Sequence, residues 1–182
     1  VWAATACSRG VYTSEDYGSD FTHLMQYFHY VMVIAFAPAN PDRVYVTVDD
    51  VILRSDDAGA SWEQMLQNYH YHGLAVHPDN PDIVIAGDVG SGEWEDSSMH
   101  VLRSEDGGVT WADASTGLPQ SEASAHALAY WPGNPDIVML GTYKGGDIAH
   151  NEGDGDGMFR STDGGRSWTH VDSVDEADVP FI

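Results

Sequence analysis

Apolar residues in this chain come in short runs separated by turn-forming residues. The runs Val33-Ile34-Ala35-Phe36, Gly73-Leu74-Ala75-Val76 and Ala127-Leu128-Ala129-Tyr130 are each followed closely by a Pro-x-Asn-Pro-Asp segment, at 38–42, 78–82 and 132–136. Each such segment leads into a second run: Val44-Tyr45-Val46, Ile83-Val84-Ile85-Ala86 and Ile137-Val138-Met139-Leu140. Runs of this length, bounded by Pro, Asn and Gly, predict antiparallel strands. A third strand, such as Val51-Ile52-Leu53-Arg54, and a fourth, such as Ser167-Trp168-Thr169-His170-Val171, complete the unit. No window sustains a helical period.

Between the third and fourth strands lies an octad, Ser-x-Asp-x-Gly-x-x-Trp, that occurs four times. Its fixed positions are Ser14, Asp16, Gly18 and Phe21, then Ser55, Asp57, Gly59 and Trp62. The third copy has Ser104, Asp106, Gly108 and Trp111, and the fourth Ser161, Asp163, Gly165 and Trp168. The copies begin 41, 49 and 57 residues apart, which is the spacing of four-stranded repeats arranged around an axis. Each part of the octad has a mechanical purpose. The Asp accepts backbone N–H groups of the turn, the Gly supplies positive φ, the Ser closes the turn, and the aromatic residue wedges between neighbouring sheets. The octad is therefore expected to fold the chain and not to perform chemistry.

These octads resemble the Asp-boxes of BNR-repeat propellers, and the Pro-x-Asn-Pro-Asp turn is similar to blades of the xyloglucanase and sortilin-like branch. The resemblance covers nearly the whole chain. It implies an all-β propeller of four-stranded antiparallel blades, here an incomplete part of a ring of six to eight. The expected division is a partial blade at 1–28, blades at 29–67, 68–116 and 117–173, and the start of a further or closing strand at 174–182. Closure into a four-bladed ring by that tail is the alternative. For the incomplete ring, the remaining blades, from the same chain or a second copy, are expected as the partners that close it. The resemblance further implies that the boxes lie on the face opposite the ligand site.

Composition narrows the partners. Lys and Arg number 7 against 29 Asp and Glu, a formal charge of −22. Such a chain repels a phosphate backbone, so nucleic acid is not expected. The longest apolar stretch, 31–38, is too short to insert in a membrane as a helix. The single Cys7 excludes an internal disulfide. A lone lysine, Lys144, amid abundant Asp suits concentrated salt, where charge repulsion is screened. An extracellular or cell-surface location is favoured, with the cytoplasm of a halophile as the alternative.

Candidate chemistry sits where the repeats differ. From the Pro of the turn to the Ser of the box there are 17, 26 and 29 residues in successive units, and the growth falls between the second and third strands. The two long loops, 88–98 and 143–156, belong to adjacent blades and carry Trp94 and Tyr143 among carboxylates, with Lys144 and His150 nearby. That mixture suits a carbohydrate or protein ligand, the first functional reading. The second is a xyloglucanase-like glycoside hydrolase drawing its acids from Asp88, Glu93, Glu95, Asp147 and Glu152. Glu152, Asp154 and Asp156 alternate with Gly and offer oxygens to Ca²⁺; no other cofactor is expected. Aligned on Ile34, Leu74 and Leu128, the innermost strands put Met32, His72 and His126 at one equivalent position, where two imidazoles of adjacent blades can share a metal or a ligand proton, or simply pack in the register of the repeat as Met32 does. The sialidase arginine triad is not expected, because Arg54, Arg103 and Arg160 each precede a box Ser and belong to the repeat.

Overall fold

The computed structural model describes residues 2–5, 10–25, 30–67, 70–88, 99–120, 123–143 and 156–171. Four antiparallel sheets follow one another along the chain. The first has three strands, β1 (Trp2–Thr5), β2 (Gly10–Thr13) and β3 (Thr22–Met25). The second runs β4 (Val31–Ala37), β5 (Asn40–Val48), β6 (Val51–Ser55) and β7 (Glu63–Gln67). The third contains β8 (Tyr71–Val76), β9 (Val84–Asp88), β10 (Val101–Ser104) and β11 (Ala112–Asp113). The fourth contains β12 (Ser124–Tyr130), β13 (Val138–Tyr143), β14 (Met158–Ser161) and β15 (Thr169–His170). Strands are ordered sequentially in every sheet, and no helix occurs among the described residues. The expected all-β class and its four-stranded antiparallel units are observed.

The hydrophobic core lies between sheets. Val11, Trp2 and Leu24 of the first sheet pack with Val44, Val46 and Trp62 of the second. Ala35, Tyr45 and Ile52 of the second meet Tyr71, Leu74, Val84 and Trp111 of the third. Ile85, Met99 and Val101 of the third meet Val138, Leu140, Phe159 and Trp168 of the fourth. A sheet has two faces, so each interior sheet feeds two of these layers, as residues of alternating orientation along a strand require.

The octads form four hairpins of one geometry. Each Ser hydroxyl donates to the Asp Oδ1 at 2.7–2.8 Å and accepts the N–H of the Gly at 2.7–2.9 Å. The Asp then accepts the N–H four residues on, from Asp20, Ser61, Thr110 and Ser167. In the last three copies the Ser or Thr hydroxyl at that position also donates to Oδ2 at 2.6 Å. These bonds favour the charged carboxylate. The Thr110 hydroxyl and amide hold Asp106 down to about 2, and the Ser61 hydroxyl and amide depress Asp57.

Two features were not visible in the octad itself. The residue before the Gly also has positive φ: Tyr17 at 61°, Ala58 at 54°, Gly107 at 75° and Gly164 at 70°. In three copies its N–H donates at 2.8 Å to the carbonyl of the Asp ending the Pro-x-Asn-Pro-Asp turn, from Ala58 to Asp42, Gly107 to Asp82 and Gly164 to Asp136. The two repeated motifs of a unit therefore interlock at one end of its sheet. The box aromatics divide as well. Trp62 and Trp111 donate Nε1–H to their own box glycines, Gly59 and Gly108, at 3.0 and 2.8 Å. Trp168 donates instead to Ala114 of the preceding unit at 2.8 Å, because residues 114–118 lie against the fourth hairpin, where Thr116 bridges Ser167.

The arginines that precede the box Ser link one unit to the next. Arg54 donates to the Gly107 carbonyl at 2.8 Å, and Arg103 donates to that of Gly164 at 3.0 Å. The Tyr45 hydroxyl also reaches the Gly107 carbonyl at 3.2 Å, and Arg43 spans Asp56 and Asp82 at 2.5 Å each.

Candidate functional site

The interlocked motifs occupy one end of each sheet. Antiparallel order therefore puts the loops between second and third strands, and the connections between sheets, at the other end. That far rim brings together the starts of β8 and β12, the ends of β9 and β13, and the residues that flank the two long loops. Of the residues singled out from the sequence, Asp88, His72, His126, Tyr143 and Asp156 lie there. Glu93, Trp94, Glu95, Lys144, Asp147, His150, Glu152 and Asp154 lie outside the described residues.

Asp88 closes the base of the first long loop. It is buried, at 2% exposure. Its Oδ1 accepts the His100 N–H at 2.7 Å, and its own N–H donates to the His100 carbonyl at 3.0 Å. A carboxylate engaged in this way extends the β9–β10 ladder by one rung. The base of the second loop is closed similarly: the Thr142 N–H and hydroxyl both donate to the Gly157 carbonyl, at 3.1 and 2.8 Å. The Asp156 carbonyl lies 3.0 Å from His170 Nε2. Among the described residues no three His, Cys, Asp or Glu side chains gather around a common point. His100, which anchors the first loop through its backbone, was not singled out from the sequence; nothing in its side-chain type announces a backbone role.

The equivalence of Met32, His72 and His126 has a structural cause. Each innermost strand carries a bulge, between Val31 and Val33, Tyr71 and Gly73, and Ala125 and Ala127. The extra residue in each case is Met32, His72 or His126. A bulge re-aims the side chain of its unpaired residue, and here it turns the same position toward the rim in three successive units. The ring centroids of His72 and His126 are 4.9 Å apart with planes at 89°. His126 in turn meets Tyr143 with centroids 5.5 Å apart. His126 and Tyr143 are exposed and His72 is half-buried. Burial, with the neighbouring His126 and His70 adding to it, pushes the His72 imidazole down to about 4, so it is neutral at pH 7.

The close meeting of the two units depends on missing side chains. A Cβ on Gly73 would lie 2.9 Å from the Ala125 carbonyl oxygen, and one on Gly87 only 2.5 Å from it. These two glycines pair across β8 and β9 and leave the groove into which the β12 bulge settles. Tyr143 is held from behind, where the Ser124 hydroxyl donates to its carbonyl at 2.7 Å.

A groove of about 480 Å³ lies elsewhere, along the seam between the third and fourth boxes, lined by Arg103, Glu105, Trp111, Asp113 and Arg166 among others. Its charges are used within the protein. Glu105 pairs with both Arg103 and Arg166, and Arg166 also donates to the Asp163 carbonyl. This groove is a joint between units.

No family model matches the chain. Curated proteins similar in sequence include two xyloglucanases. The xyloglucanase Xgh74A of Acetivibrio thermocellus is 29% identical over 157 residues, covering 77% of this chain and 17% of that protein. A xyloglucanase of Hypocrea jecorina is 28% identical over 142 residues, covering 74% and 15%. Among solved structures, an ancestral GH74 enzyme superposes with a TM-score of 0.75 at 22% identity, over 97% of this chain and 23% of that one. The chain thus spans about one-sixth of the length of the curated relatives it matches. With its successive four-stranded sheets, the protein has a β-propeller fold, and the described sheets form an open arc consistent with part of a ring.

Proposed function

We propose that this chain is a segment of an Asp-box propeller of the BNR type whose loop-bearing rim binds a polysaccharide of the xyloglucan class. The observation that carries this reading is the exposed ring pair His126 and Tyr143, set at the rim on a support of Ser124, Gly73 and Gly87. Sugars present axial C–H faces to flat rings and hydroxyls to polar edges, and this pair offers both. The similarity to two xyloglucanases supports the choice of ligand.

Hydrolysis is the second reading, and it is the activity named for those relatives. It needs two facing carboxyl groups roughly 5–9.5 Å apart. Asp88 is occupied at the loop base, so this reading rests on Glu93, Glu95, Asp147 and Glu152. Ca²⁺ held by Glu152, Asp154 and Asp156 is compatible with either reading.

The leading face of the fourth sheet is the proposed seat of another blade, from the same chain or a second copy. Ala129 and Met158 are exposed there, whereas their counterparts Ala35, Ala75, Ile52 and Val101 are buried. Arg160 stands where Arg54 and Arg103 grip the following box.

The test is affinity electrophoresis of the chain in gels containing xyloglucan, alongside measurement of reducing ends released. The reading expects retarded migration of the wild type and about 5- to 30-fold weaker binding for Tyr143→Ala, the loss of about 1–2 kcal/mol of ring contact. Binding unchanged by Tyr143→Ala would overturn it. Reducing-end release abolished by Glu93→Ala, Glu95→Ala or Asp147→Ala would establish hydrolysis instead.

A further inference from the structure

Two histidines brought together by different units of a repeat fold call for an account of their own. They reach the rim from separate strands, β8 and β12, each as the unpaired residue of a bulge. Their separation is set by the glycine groove, because Gly73 and Gly87 let the Ala125 carbonyl approach where any side chain would collide. The pair is therefore positioned by backbone packing and not by rotamer choice alone.

We propose that His72 and His126 form a binding site for one borderline transition-metal ion, of the Zn²⁺, Ni²⁺ or Cu²⁺ class, that clamps the third and fourth units together and leaves further coordination positions open to water.

The spacing fits. A metal–nitrogen bond of about 2.0–2.1 Å puts an ion about 3.2 Å from the centre of each imidazole, so two imidazoles at a near-tetrahedral angle have centres about 5 Å apart. The observed separation is 4.9 Å with the planes at 89°, so the centres are at the right distance and one ring has to turn for both nitrogens to face one ion. His72 Nδ1 is buried with no hydrogen-bond partner among the described residues. Buried ring nitrogens ordinarily have a partner, and a metal ion is a partner for a nitrogen that carries a lone pair. His126 is exposed, so its ring turns to share the ion at little cost. The surrounding charge of −22 raises the local concentration of any cation. Imidazole nitrogen selects against Mg²⁺ and Ca²⁺, which prefer oxygen.

Isothermal titration of the full chain with NiCl₂, ZnCl₂ or CuCl₂, with MgCl₂ as the control, tests this. The expected result is one saturable ion per chain for the transition metals and none for Mg²⁺. The melting temperature should rise once the ion exceeds its dissociation constant, since it binds the docked state alone. Binding should weaken at least tenfold in His126→Ala, whose exposed side chain can be removed without opening the core, and equally in His72→Ala. The spin-resonance spectrum of the Cu²⁺ form should show nitrogen coupling that His126→Ala removes. Absence of saturable binding below about 1 mM, or a His126→Ala variant that binds and melts like the wild type, would overturn the proposal. His126 belongs to both proposed sites, and the two proposals are told apart by their readouts, metal titration here and retardation by xyloglucan there.

Discussion

The second box contains an alanine where the third and fourth contain glycine, and the structure makes this a stability experiment with two opposite arms. Ala58 holds φ at 54°, in the left-handed region, while its counterparts Gly107 and Gly164 hold 75° and 70°. The backbone cannot relax elsewhere, because the Ala58 N–H is committed to the Asp42 carbonyl at 2.8 Å. A side chain in this region costs about 1–2 kcal/mol. Replacing Ala58 with Gly removes that strain but loosens the unfolded chain, which gives back about 0.4–1 kcal/mol. The Ala58 methyl is exposed, so no packing is lost. Ala58→Gly should therefore stabilise the protein by about 0.5–1 kcal/mol, or about 1–4 °C in melting temperature for a chain of this size. Gly107→Ala should do the reverse and more strongly. Its Cβ would meet Arg54 Nη1 at 2.9 Å and Arg43 Nη1 at 3.2 Å, both of which are engaged in links between units. Urea unfolding of the two variants measures both. A destabilised Ala58→Gly, or a Gly107→Ala variant as stable as the wild type, would show that the positive φ is not a strained requirement of the box.

Three other outcomes follow from the same geometry. Asp106 is held down to about 2 in the folded protein, below its ordinary value of 3.8. Its contribution is complete above about pH 4 and is lost as pH falls through about 2, so acid melting of the wild type should steepen across that window, and Asp106→Asn should flatten it. Gly87→Ala places a Cβ 2.5 Å from the Ala125 carbonyl oxygen, and overpacking between sheets should cost about 1–3 kcal/mol by thermal unfolding. Trp168→Phe should cost more than Trp111→Phe in the same assay, by about 1 kcal/mol. Trp168 is 4% exposed and its lost bond strands a carbonyl of the neighbouring unit, whereas Trp111 loses a bond within its own hairpin.

The fold was legible where its determinants are local. An octad that satisfies its own turn through Ser104, Asp106 and Gly108 needs no distant partner, so its recurrence announced four hairpins and hence repeated sheets. The equivalence of Met32, His72 and His126 was legible for the same reason, since one bulge recurs at one place in each innermost strand. What the pattern hid is contact between units. Arg54 and Arg103 looked like fillers of the repeat, yet each grips the next box, a link that spans 53 residues from Arg54 to Gly107 and leaves no local trace. Trp168 matches Trp62 and Trp111 in sequence but turns its indole to Ala114, because residues 114–118 lie against its hairpin. Asp88 looked like one of several free acids at a loop edge. Its burial depends on the amide of His100, which is fixed by the sheet beyond the loop. The candidate site was thus readable as a region, through unequal loop lengths, but not as a set of roles.

The closed loop bases separate two properties that usually compete. With Asp88 fastened to His100 on one sheet, and Thr142 to Gly157 on the next, the strands are already paired before the chain departs. The sheet does not register how many residues come afterwards, and loop closure grows dearer only logarithmically with length. Such a rim behaves as a socket into which segments of different length and composition can be fitted. An engineer wishing to fit new segments to this rim would cut just inside these two clasps and leave every bond of the scaffold untouched.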